Sequence, residues 1–314
     1  MYSKKLNEFT YLIDLKPMGV ESFIATYVLK GSKVAIVETG PTSSVKNLLA
    51  GLRETGIRTK EIDYVAVSHV HTDHAGGAGT LLRYLPNARL LVHARGAPHL
   101  VKPEKLWRQA KQILGEIAEM YGEIQPVPEE RIIGATDGMV IDLGEGTELK
   151  VLETLGHASH HLSFYESPGG GIFPGDAAGI YLNKFNVVIP TTPAPFHLEM
   201  ALSSLDKLIK MVPKTLYYTH FGQTSGAIKR MRAHVAQLKL WAKIVLEGMK
   251  CGEDMETIHE RILEEDPSME AISDFVKDHL VLRMGVVMQN LQGFIEYFRK
   301  FPKASFSSFL SVPW

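Results

Sequence analysis

The sequence predicts an α/β protein in which two halves, each strands then helices, pack as a sandwich with the sheets inside and the helices outside, followed by an all-helical extension. Three observations carry this. Strand-like apolar runs bounded by turn residues open the chain and return after about residue 131. Between and after them lie segments with apolar residues at helical spacing. From about residue 225 to 300 the pattern is almost wholly helical. The halves share an order of elements and no detectable sequence repeat.

The early strands are "TYLIDL", "SFIATYVL" and "KVAIVET", the last two joined by the turn "KGSK". "PTSSVKNLLAGLRETG" then has serines at a helix start, Val45, Leu48, Leu49 and Leu52 on one face, and Gly56 as a stop. A strand at Tyr64 to Val67 follows, then a helix near Thr80 to Leu85, the strand "ARLLVHA", and an amphipathic helix from Trp107 to Tyr121 closed by "QPVPEE". In the second half the strands are "MVIDL", "ELKVLET", "HLSFYES" and "GIFPGDA", with "LSSLDKLIKMV" as a helix and "TLYYTH" as a strand. The composition changes after Gly222, which separates a sandwich domain at 1–222 from a helical module at 223–314. The tail "ASFSSFLSVPW" is apolar for a terminus and is expected to dock.

Composition narrows the function. With 314 residues, 45% of them apolar, a substantial core can form. Lys and Arg total 34 against 35 Asp and Glu, so there is no electrostatic footprint for nucleic acid or an acidic membrane. The N-terminus has no signal-peptide pattern and no window is long enough to span a bilayer, so a soluble cytoplasmic protein is expected. The single cysteine, Cys251, lies in polar "GMKCGEDM" and is expected to be a bystander.

The chemistry concentrates in "YVAVSHVHTDHAGGAG", residues 64–79, where three histidines and an aspartate fall within six positions after an apolar run. In an extended segment His69 and His71 point the same way, and Asp73 and His74 follow where the chain turns beside Gly76 and Gly77. Imidazole and carboxylate are ligand types shared by zinc, iron and manganese. Two ions fit the count: one taking His69 and His71, the other Asp73 and His74. Three further donors follow apolar runs elsewhere, His157, Asp176 and His220, and a carboxylate can bridge two cations.

The set His-x-His-x-Asp-His at 69–74, "GHASHH" around His157, "GD" ending at Asp176 and "THFG" around His220 resembles the metallo-β-lactamase superfamily, over about residues 10–222. The resemblance implies a four-layer αββα sandwich with its metals at one edge of the sheets. It assigns His69, His71 and His157 to the first ion, Asp73, His74 and His220 to the second, and Asp176 to both. It also matches "VETGPTS", with Glu38 where aspartate is common, a change expected to alter hydrogen bonding around the ligands and not ligation itself. Zinc is the first expectation for the two ions, with iron or manganese using the same donors.

Such a centre implies hydrolysis: hydroxide held between the metals attacks an ester or thioester carbonyl, and Asp73 orients it and passes on a proton. His160 and His161 are candidates to support ligands, Tyr181 and Tyr218 to contact substrate. A sandwich followed by about ninety helical residues is similar to glyoxalase II, the hydroxyacylglutathione thioesterases, although no motif for glutathione is identifiable: Arg299, Lys300 and Lys303 form none, and the helix at 107–121 is a departure. The expected partner is a small-molecule substrate, with the tail and the helical module as the surfaces for any homo-oligomer. Rival readings are an iron-dependent persulfide dioxygenase, a lactonase, weakened by Gly179 three residues after Asp176, and a phosphodiesterase.

Overall fold

The computed structural model describes residues 1–167 and 169–302; the apolar tail lies outside them. In chain order the strands are β1 (Ser3–Lys5), β2 (Thr10–Asp14), β3 (Ala25–Lys30), β4 (Val34–Val37), β5 (Ile62–Ala66), β6 (Arg89–His93), β7 (Ile132–Ala135), β8 (Val140–Gly144), β9 (Thr147–Glu153), β10 (Leu162–Ser167), β11 (Gly171–Phe173), β12 (Ile180–Leu182), β13 (Val187–Ile189), β14 (Thr215–Tyr218) and β15 (Gly222–Ser225). The chain divides into two compact units. The first is 1–153 with 160–175 and 215–224; the second is 154–159 with 176–214 and the residues from 225 onward. Compactness therefore does not follow sequence order, because the second unit takes two segments from the middle of the chain.

The first unit holds a seven-stranded sheet, β1 to β7 in sequence order, and a six-stranded sheet ordered β15-β14-β11-β10-β9-β8. In the first sheet β1 to β4 pair antiparallel, whereas β4, β5, β6 and β7 run parallel, so four strands deliver their C-terminal ends to one edge. Such an edge is where α/β sheets place ligands. Residues from both sheets form one apolar layer: Tyr27, Leu29, Val37, Ala66 and Leu91 from the first, Leu149, Val151, Phe164 and Phe173 from the second. Phe164 is fully buried there, and its truncation to alanine would cost about 3–5 kcal/mol. Where the sheets meet, Leu162 donates its N–H to the Ser68 carbonyl at 2.7 Å and Ala25 donates to that of Thr219 at 2.8 Å.

The helix Val45–Thr55 forms as its apolar spacing predicts, ending at Gly56 with φ 75°. The stretch expected as one helix over 107–121 is two, Glu104–Leu114 and Glu116–Tyr121, because Gly115 breaks it at φ 53°, ψ −123°. Trp107, Ala110, Ala118 and Ile124 close a small core of their own.

In the second unit β12 and β13 form a two-stranded antiparallel sheet. The helices include Leu198–Lys210, Ala227–Cys251, Met255–Glu265 and Val286–Lys300. Their polar anchor is Asp266, which is buried. It accepts from Trp241 Nε1 at 2.8 Å and Gln237 Nε2 at 2.9 Å through one oxygen, and from the Ser268 N–H at 2.9 Å through the other. Cys251 is exposed at the end of its helix. No helix among the described residues is long and apolar enough to cross a membrane.

Candidate metal centre

Strand β5 ends at Ala66, and within three residues the chain delivers Ser68 and His69, both buried. His69 and His71 do point the same way: His69 Nε2 lies 2.8 Å from His71 Nδ1. The short helix Thr72–Ala75 then turns His74 inward, with its ring 4.1 Å from that of His69, and leaves the Asp73 carboxylate about a quarter exposed. The turn after β4 holds this helix, since Thr39 and Gly40 both donate N–H to the His74 carbonyl, at 2.9 and 3.1 Å. Gly77 matters for space. Its φ is an ordinary −77°, but a Cβ would lie 2.9 Å from Val45 Cγ2 and 3.1 Å from the Gly40 carbonyl oxygen. Gly77 is thus required by close packing and not by an unusual backbone angle.

His220 follows β14, and its Nε2 lies 3.4 Å from Asp73 Oδ2. Asp73, His74 and His220 each offer one ligand atom, and these atoms lie within 4.8 Å of one another. Five of the seven expected donors are therefore brought together in the first unit. The other two meet in the second: His157 Nε2 is 3.5 Å from Asp176 Oδ2.

His220, His157 and His74 are oriented from behind. His220 Nδ1 lies 3.0 Å from the Phe23 carbonyl oxygen, and His157 Nδ1 lies 2.9 Å from that of Thr191. A carbonyl only accepts, so Nδ1 is the donor in both rings, and in the neutral imidazole Nε2 keeps its lone pair for a ligand. His74 Nδ1 faces the Glu38 carboxylate at 3.3 Å and Ser68 Oγ at 3.3 Å, while its Nε2 lies 3.9 Å from Asp73 Oδ2. A nitrogen lone pair and a carboxylate oxygen this close repel unless a proton or a metal ion lies between them. Outer-face bonding of an imidazole, as in these three, is also the usual companion of ligation. The donors present thus fit divalent ions.

Glu38 is the outer partner expected from the sequence. It is buried and sits at φ 69°, a region that costs a non-glycine residue on the order of 1–3 kcal/mol. Its backbone is pinned by Glu38 N–H to the Ala66 carbonyl at 2.8 Å and by Thr26 Oγ1 to its own carbonyl at 3.1 Å. Besides His74, its carboxylate receives longer contacts from the Ser68 N–H at 3.4 Å and Thr219 Oγ1 at 3.5 Å.

The remaining sequence candidates are also placed. His161 is fully buried with its ring 5.0 Å from that of His69, whereas His160 is partly exposed with its ring 6.3 Å from His71 and 6.2 Å from His99. Tyr181 donates to Asn186 Oδ1 at 3.0 Å beneath the Arg230 guanidinium, and Tyr218 is fully buried in β14. Sequence reading missed Ser68, whose signal is its place beside His69, and Thr191, which has none. It also missed the pair His93 and Glu153, 2.7 Å apart, at the ends of β6 and β9.

The superfamily profile of the metallo-beta-lactamases matches residues 20–220, and the chain belongs to that superfamily. Its fold is the αββα sandwich with a C-terminal helical extension, and its class is that of a superfamily hydrolase carrying a cluster of histidine and aspartate donors. The chain is 29% identical over 231 residues to the metallo-beta-lactamase fold-containing protein ST1585 of Sulfurisphaera tokodaii, a match covering 72% of this chain and 82% of that one. The crystal structure of ST1585 superposes with a TM-score of 0.60 over 69% of this chain and 80% of that one. The metallo-beta-lactamase family protein TTHA1429 of Thermus thermophilus shares the fold at a TM-score of 0.68, with 22% identity and 95% of each chain covered. An atrochrysone carboxyl ACP thioesterase of Pseudocercospora fijiensis is 25% identical over 275 residues, 83% of this chain and 68% of that protein.

Proposed function

We propose that this chain hydrolyses ester or thioester bonds with two divalent ions, zinc in the first place, held by His69, His71, Asp73, His74, His157, Asp176 and His220. The allotment is His69, His71 and His157 to one ion, Asp73, His74 and His220 to the other, and Asp176 to both. The observation that carries this reading is that Nδ1 of His220, His157 and His74 is engaged by the Phe23 and Thr191 carbonyls and by Glu38, while Nε2 of each ring faces an aspartate carboxylate. The proposed functional division keeps 1–222 as catalytic and 223–314 as the helical module.

Bound ions would bring the pKa of a coordinated water toward about 7 and polarise the substrate carbonyl. The chain supplies the rest. Asp73, the expected ligand with about a quarter of its side chain exposed, orients the attacking water and takes up its proton as the new C–O bond forms. As the C–S or C–O bond breaks, that proton passes to the departing thiolate or alkoxide. No side-chain nucleophile is required, consistent with an exposed Cys251 in the helical module. Tyr181 is the proposed contact to substrate; Tyr218, expected to share that role, is fully buried in β14 and offers a substrate no surface. Support for a thioester comes from likeness to the ACP thioesterase, which extends past residue 222 since it covers 83% of this chain.

The test is a substrate panel on protein of measured metal content: acyl-thioesters, esters, lactones and phosphodiesters, beside oxygen uptake with glutathione persulfide. Acyl-thioester hydrolysis is the expected outcome. Oxygen consumption would replace the hydrolase reading with persulfide dioxygenation.

A further inference from the structure

We infer that Asn290, in the terminal helix Val286–Lys300, is a positioning residue for the His157 imidazole, acting through the loop Pro190–Thr192. The inference rests on the reading of His157 as a metal ligand.

Thr191 holds both donors of the second unit. Its carbonyl accepts from His157 Nδ1 at 2.9 Å, and its hydroxyl donates to the Asp176 carbonyl at 2.7 Å. Residues 190–192 follow β13 and belong to no helix or strand, so no sheet ladder fixes where that carbonyl points. What fixes it is a single side chain on either flank. Asn290 Nδ2 donates to the Pro190 carbonyl at 2.6 Å, and Asn290 Oδ1 accepts the Thr192 N–H at 2.8 Å. Thr192 Oγ1 returns a bond to the Asn290 carbonyl at 2.9 Å.

The residue type is telling. Asparagine is a poor helix former, costing about 0.7 kcal/mol relative to alanine, and Asn290 is 2% exposed. Only a short side chain with a donor and an acceptor can grip a carbonyl and an N–H on either side of one residue. The helix also lies directly on the loop, because a Cβ at Gly293 would run into the Thr192 carbonyl oxygen. The other side of the His157 loop is fixed independently: Gly156 accepts from the His197 N–H at 2.9 Å, and Ser204 Oγ donates to the Leu155 carbonyl at 2.7 Å. His157 is therefore set between the helices Leu198–Lys210 and Val286–Lys300.

Asn290→Ala leaves the Pro190 carbonyl and Thr192 N–H without this partner and frees the Thr191 carbonyl to drift. The expected result is about tenfold weaker binding of one zinc ion of two, the lower end of outer-partner effects, read by chelator competition. In cobalt-substituted protein the visible band should change shape at full occupancy. Gly293→Ala, which pushes the same loop from another atom, should do likewise, and Asn290→Asp, which keeps the acceptor alone, should fall between. Leu291→Ala serves as the control, since it opens a buried site on the same helix without removing either bond to the loop. Wild-type zinc affinity and cobalt spectrum in Asn290→Ala would overturn the inference, as would equal loss in Leu291→Ala. His157→Ala separates the two levels. If it loses an ion while Asn290→Ala does not, only the positioning role fails; if it keeps both ions, the ligand reading fails and takes this inference with it.

Discussion

The two units hold their donors by different means. In the first, His69, His71, Asp73 and His74 come from one run of six residues, and His74 is oriented by Ser68 and Glu38 at neighbouring strand ends. In the second, His157 and Asp176 lie nineteen residues apart, and the carbonyl that orients His157 is held by a side chain almost a hundred residues further on. A contiguous donor run gains its geometry from a strand end and one helical turn. A scattered pair depends on a loop, and the loop depends on a helix of the terminal module.

Substitutions can break this contrast. The largest effect is expected from Asp176→Ala, since the proposed bridge serves both ions: metal content and turnover should fall together, by more than the roughly 100-fold that marks the upper range for outer partners. Elemental analysis and circular dichroism check it; retained turnover with folded helices would remove Asp176 from the centre. Glu38→Ala comes next. It deprives His74 of its carboxylate partner and should weaken the ion assigned to His74 by about 10–100-fold, with the zinc affinity of the other ion little changed. Equal weakening of both would mean that the first unit's donors respond as one block. The Asn290 substitution should act more weakly, and on the ion assigned to His157.

A separate effect, on stability and not on metal binding, is one of pH. His234, buried in the second unit with Nδ1 3.2 Å from Gln237 Oε1, has its pKa pushed down to about 4, chiefly by burial. The unfolded chain takes up this proton near pH 6.5 and the folded protein only near 4, so stability is full above 6.5 and is lost as pH falls between those values. The loss amounts to about 3 kcal/mol at the low end. His234→Met should flatten the dependence of Tm on pH between about 6.5 and 4.5, and an unchanged slope would show that other groups control acid stability.

Much of the centre is legible because its residues are unusual neighbours. Three histidines and an aspartate in six positions have few structural uses, and a donor after each of several apolar runs suggests a common edge. The helix expected over 107–121 fails at Gly115, since apolar spacing on both sides continues through a glycine whose backbone angle breaks the helix. Strands β12 and β13, three residues each, give too short a pattern to register. Asn290 is invisible for a different reason: a polar residue within a helical pattern looks like solvated surface, and only packing shows that it is buried.

By itself the sequence determined which side chains are candidates to bear the chemistry, the order of most strands and helices, and the superfamily, because these depend on residue type and short-range spacing. The tertiary structure alone decided which ring nitrogen of His74, His157 and His220 is engaged from behind and which is left facing an aspartate. That choice depends on a carboxylate or carbonyl brought from a distant segment, and no local pattern encodes which distant group will arrive.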